Sequence, residues 1–111
     1  MRTWARTSVL ATAVVAAATS LPAQADAPRG EREAALRNLL VHDCGSCHGL
    51  TMKGGLGPPL LPADLADKPD EGLIDTILEG RHGTPMPPWG TELTAEEAAW
   101  IVRTLREGVA P

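Results

Sequence analysis

No phenylalanine and no tyrosine occur in this chain of 111 residues, which has only three tryptophans and two cysteines. A small domain built almost wholly from aliphatic side chains buries barely enough apolar surface to offset its chain entropy. A staple is therefore expected, whether a disulfide, a metal or a bulky cofactor. Positive charge is scarce too: ten basic residues stand against fourteen acidic ones, a net charge of −4, which argues against nucleic acid and anionic lipid as partners. The apolar run "SVLATAVVAAA", residues 8–18, is well short of the roughly 20 residues that span a bilayer, so stable membrane insertion is not expected. Neither an alternating strand pattern nor an internal repeat is present, which leaves an all-α domain with long loops.

The amino end reads as a removable segment. Arg2 and Arg6 precede the apolar run, and "LPAQA" ends in small residues at Ala23 and Ala25. That is the layout of an export signal, with cleavage expected after Ala25. Residues 1–25 are thus assigned to the signal and residues 26–111 to one domain. Removing Arg2 and Arg6 leaves eight basic residues against the same fourteen acidic ones, a net of −6, with Trp89 and Trp100 as the remaining aromatics.

Three helices are predicted. Ala35, Leu36, Leu39 and Leu40 recur at helical spacing behind acidic residues, giving a helix from about Glu31 to Val41 that runs into the cysteine motif. "GLTMKGGLGPPLLP", 49–62, is too rich in glycine and proline to be regular. Then "KPDEGLIDTILEGRHG" has proline at a helix start, an apolar stripe of Leu73, Ile74, Ile77 and Leu78, and Gly80 as a stop. "TPMPPWG" is an extended loop. In "LTAEEAAWIVRTLREG", Thr94 and Glu97 stand in capping-box register before Ala98, Ile101, Val102 and Leu105.

The chemistry is concentrated in "HDCGSCHGL", residues 42–50, where Cys44 and Cys47 stand three apart and His48 follows at once. Cys-X-X-Cys-His is the attachment pattern of c-type haem. Two thiols one helical turn apart can each add to a vinyl group of one porphyrin, and the adjacent histidine then lies under the iron as proximal ligand. Three alternatives share the spacing: a structural disulfide, a thioredoxin-like redox pair, or a zinc site. The redox pair expects a βαβ setting absent here, and zinc would have to recruit both His42 and His82 to reach four ligands. A sixth iron ligand has four candidates: Met52, Met86, His42 and His82. Met52 lies only four residues past His48, a reach of at most about 14 Å, and His42 is constrained in the same way from the other side. Met86 lies 38 residues past His48 among Pro85, Pro87 and Pro88, which fix φ and lower the entropy lost in presenting a sulfur.

Together "CGSCH", "GPPL" at 57–60, "TPMPPW" at 84–89 and a last helix bearing Trp100 resemble the class I cytochromes c over the whole of residues 26–111. The resemblance implies a class I cytochrome c fold, three or so helices and long loops around one haem c held by Cys44 and Cys47. It implies His48 and Met86 as iron ligands, with His82 the runner-up to Met86. Pro58 would offer its carbonyl to the other ring nitrogen of His48, Leu60 would pack on the porphyrin, and Trp100 would cross the first helix near Leu36 and Leu40. The chain departs from the family there, because a glycine is usual where Leu36 stands and an aromatic where Leu40 stands. Trp89 is placed either to cover a haem edge and reach a propionate through its indole N–H or to pack plainly. Arg81 is read as a surface residue within reach of a propionate.

More narrowly, "LLVHDCGSCHGLTMKGGLGPPLLPADLADKP" with "ILEGRHGTPMPPW" is similar to the small periplasmic cytochromes encoded beside the haem-c/haem-d nitrite reductase of denitrifying bacteria. That implies a periplasmic, monomeric electron carrier, not an enzyme, taking electrons from an upstream donor and passing them to nitrite reductase. The alternative it permits is a factor in biogenesis of the reductase's haem d. With Lys53 and Lys68 as the sole lysines, docking is expected through an apolar rim at Leu50, Met52 and Pro87, with weak salt dependence, or against a partner's basic patch.

Overall fold

The computed structural model describes residues 27–109, and every regular element among them is helical. The expected signal, residues 1–25, lies outside the described residues. Helix α1 spans Gly30–Asn38, with Glu31 and Glu33 in its first turn, where they complement the helix dipole. It does not stop at Val41. Leu39–Cys44 forms a widened π turn, and α2, Gly45–His48, continues from it. One helical rod thus carries Cys44, Cys47 and His48 at its carboxyl end. Leu36 and Leu40 are fully buried, whereas Ala35, read as part of the same stripe, is exposed. At about 100° per residue it points well away from Leu36.

The irregular loop that follows folds back onto this rod. Gly57 N–H donates to the Cys47 carbonyl and Gly54 N–H to the His48 carbonyl, both at 2.8 Å, so the orphan acceptors of the helix end are met by the loop. Met52, which the sequence placed in the exposed rim, is instead buried in the core at φ 59°. The loop turns there, and the apolar side chain goes inward. A short helix that sequence reasoning did not anticipate, α3 (Pro62–Leu65), begins with proline at its first position. The Asp64 carboxylate accepts the Leu61 N–H at 3.0 Å, and Leu65 is buried.

Helices α4, Asp70–Glu79, and α5, Ala95–Glu107, match their predicted extents. Thr94 and Glu97 exchange the expected capping bonds at 3.2 and 3.0 Å. Helix α5 packs on α3 and α4, and Arg106 fastens that corner by bonds to Asp70, the Leu65 carbonyl and the Lys68 carbonyl. On its other side α5 meets the first rod: Leu36, Leu40, Trp100 and Ile101 share one core, the Arg37 guanidinium lies 5.2 Å over the Trp100 ring, and Arg32 grips Glu97.

The Arg32 hydrogen bonds hold the Glu97 carboxyl below its ordinary range, with the Thr94 N–H helping and burial opposing. Because the folded pKa is depressed, this stabilisation is complete above the ordinary Glu pKa of about 4.3 and is lost as pH falls through the lowered value. Glu97→Gln should therefore cost up to about 1 kcal/mol at neutral pH, with the gap in melting temperature closing in acid. A gap that widened in acid would refute this assignment.

Candidate functional site

Between the helical rod, the 49–61 loop, α4 and α5 lies a cavity of about 900 Å³, within the size range of small-molecule and cofactor sites. Cys44, Cys47 and His48 line one part of it, Pro58 and Leu60 another, and Met86 and Trp89 a third. These seven residues, each given a haem role by the resemblance, thus face one space. Its walls are apolar, built from Leu73 and Ile77 of α4 and Ile101, Val102 and Leu105 of α5. No residue of α4 is fully buried, although the helix carries the predicted stripe. The inner side of α4 packs partly on the core and partly faces the cavity through Leu73 and Ile77, so a large apolar occupant would complete the burial of its stripe.

The His48 ring is fixed on two sides. Its Nδ1 lies 2.7 Å from the Pro58 carbonyl oxygen. A carbonyl only accepts, so Nδ1 carries the proton and the lone pair of the neutral ring sits on Nε2. On the other side Gly57 presses against the imidazole: a β-carbon there would lie 2.8 Å from both Cε1 and Nδ1. Sequence reasoning saw Gly57 only as part of "GPPL". Its steric role appears when residues nine apart are folded into contact.

The Met86 loop is strapped to the end of α4. Trp89 N–H and Gly90 N–H donate to the Ile77 and Leu78 carbonyls, each at 3.0 Å. Gly80, at φ 70°, lets the chain turn here, and a β-carbon on it would stand 2.7 Å from the Met86 oxygen and the Pro88 nitrogen. The sequence marked Gly80 as a helix stop; the same glycine is the floor of the methionine loop. Of the four candidates for a sixth ligand, Met86 is the one that lines the cavity. Met52 lies in the core, and His42 and His82 are exposed outside the cavity lining.

The competing uses of the cysteines fit this site poorly. Burial, reinforced by the Asp43 charge, pushes the Cys44 thiol up to about 11, the reverse of the depressed thiol a redox pair needs. Among the described residues no three His, Cys, Asp or Glu side chains gather as a metal cluster, which disfavours zinc. An apolar cavity holding two thiols, an imidazole with Nε2 presented and a thioether is a donor set that fits haem c.

Comparison with known proteins points the same way. Residues 31–103 match the family described as cytochrome c oxidase, cbb3-type, subunit III. The chain is 54% identical over 93 residues to cytochrome c55X of Pseudomonas aeruginosa, covering 82% of this chain and 78% of that protein. A solved structure of a c-type cytochrome NirC is 55% identical with a TM-score of 0.73, covering 76% of this chain and all of that one. A second, of dihydro-heme d1 dehydrogenase NirN in complex with DHE, is 33% identical with a TM-score of 0.59, covering 63% of this chain and 15% of that one.

Proposed function

We propose, from the premise that the chain belongs to the c-type cytochromes and among them to the cytochrome c55X family, that it is a periplasmic electron carrier serving haem-c/haem-d nitrite reductase. Family membership gives the coarser facts: the protein binds haem c and transfers electrons. The observation that carries the rest is that Met86, alone of the four candidate ligands, shares the cavity with His48.

Bound there, haem c supplies a one-electron iron couple. Cys44 and Cys47 would hold the group covalently, independently of the iron ligands. His48, its Nδ1–H held by the Pro58 carbonyl, offers Nε2 in one orientation and with raised basicity. Met86 offers a soft thioether, which favours the reduced iron and raises the potential. If His48 and Met86 both donate to the iron, the chain would leave no position for a substrate, which supports a carrier rather than an enzyme. Leu60 and the α4 stripe would exclude water from the group, and Trp89, which lines the cavity and packs against the core, would have its indole N–H available to a propionate.

Residues 1–25 act as the export signal, and residues 26–111 work as a monomer outside the cytoplasm. Among the described residues no helix is long and apolar enough to cross a membrane. Docking uses exposed Leu50 and Pro87; Met52, being buried, takes no part.

Stopped-flow mixing of the reduced, haem-loaded protein with oxidised nitrite reductase tests this function. Oxidation fast enough to sustain nitrite turnover is expected, with a rate that changes little with added salt. Slow or absent oxidation would exclude the reductase as acceptor, and a steep salt dependence would replace the apolar rim by a basic patch on the partner.

The likeness to a dihydro-heme d1 dehydrogenase favours one second reading, electron exchange during maturation of the haem d cofactor. A deletion strain whose reductase lacks that haem would support it, and fully loaded reductase would exclude it.

A further inference from the structure

Between Thr84 and Trp89 the chain reads Pro-Met-Pro-Pro, so Met86 has the only backbone N–H in that stretch. It does not point to another backbone group; it donates to the Thr84 hydroxyl oxygen at 3.3 Å. That hydroxyl in turn donates to the Arg81 carbonyl at 2.7 Å, and Arg81 N–H donates to the Met86 carbonyl at 3.2 Å. The three bonds close a ring through residues 81, 84 and 86. One side chain takes part in it, and that side chain is Thr84.

We propose that Thr84 is a positioning residue for Met86, its hydroxyl clamping the backbone on both sides of the sulfur-bearing residue so that the thioether stays against the iron. The proposal rests on Met86 being the sixth ligand. The other restraints act at the flanks of Met86: Pro85, Pro87 and Pro88 fix φ but donate nothing, the Trp89 and Gly90 N–H groups tie the end of the loop to α4, and Gly80 limits approach from below without bonding. Removing the hydroxyl leaves the Met86 N–H to water, while the Arg81 carbonyl keeps only the Thr84 N–H at 3.1 Å, and the loop can then drift from the position that ligation requires. Neither group is the ligand itself, so the effect should show as lability of the sulfur–iron bond.

The experiment compares haem-loaded wild type, Thr84→Val, Thr84→Ser and Met86→Ala, measuring cyanide binding to the oxidised protein, the methionine–iron absorption band and the reduction potential. Thr84→Val keeps the shape and loses the hydroxyl; it should bind cyanide about tenfold faster, the factor that one net hydrogen bond corresponds to, with a weaker band and a lower potential. Thr84→Ser should behave as wild type. If Thr84→Val matches wild type while Met86→Ala binds cyanide freely, the positioning role is overturned and the ligand assignment stands. If Met86→Ala itself leaves band and potential unchanged, the ligand assignment fails and this proposal with it. If Thr84→Ser is as labile as Thr84→Val, the methyl group rather than the hydroxyl matters, and the clamp is wrong.

Discussion

Met86→Ala is expected to lower the reduction potential by at least about 0.1 V, within the roughly 0.8 V over which axial ligands move haem potentials, and to admit cyanide and carbon monoxide. The reason is chemical before it is structural. A thioether favours ferrous iron and so raises the potential, and its loss leaves the position to water or to a stronger donor. The fold decides which donor is near. His82 and His42 are exposed and lie outside the cavity lining, and Met52 is locked in the core, so no replacement from the chain stands ready. Potentiometry and ligand-binding spectra of the variant check this. An unchanged spectrum would mean that another residue, His82 first, ligates the iron, which would require the 81–86 loop to unfasten.

Gly57→Ala should be strongly damaging for the addition of a single methyl group, costing roughly 1–3 kcal/mol as an overpacked site. The added carbon would lie 2.8 Å from two atoms of the His48 ring, and neither side can yield easily. Gly57 is pinned by its N–H to the Cys47 carbonyl at 2.8 Å and by its own carbonyl, which accepts from Gly55 N–H at 3.0 Å. The ring is pinned by the Pro58 carbonyl at 2.7 Å. Relief requires moving the imidazole off the axis it presents, so denaturant unfolding and the potential should both shift. A variant with wild-type stability and potential would show that the ring has slack the geometry does not suggest.

Much of this site was legible in the chain because its chemistry is local. Cys44, Cys47 and His48 are adjacent in sequence, and their spacing alone implies a covalent haem. The absence of phenylalanine and tyrosine called for a bulky occupant, and the half-buried stripe of α4 is its physical counterpart. Helices α4 and α5 were readable because caps, periodicity and stop signals agree. The continuation of the first helix was not, since nothing in "LLVHDCGS" marks the π turn that carries it through to His48.

What the sequence by itself determined is therefore the attachment motif, the helical class and the short list of residues that could complete the iron site. Tertiary structure set them in different places. It sent Met52 into the core and His42 and His82 to the surface, and it set Met86 against the cavity by tying its loop to the end of α4. It also made Gly57 and Gly80 indispensable for lack of space. These are choices between residues far apart in the chain, governed by which side chains burial draws inward and which backbone groups must find partners. A one-dimensional pattern does not encode such distances.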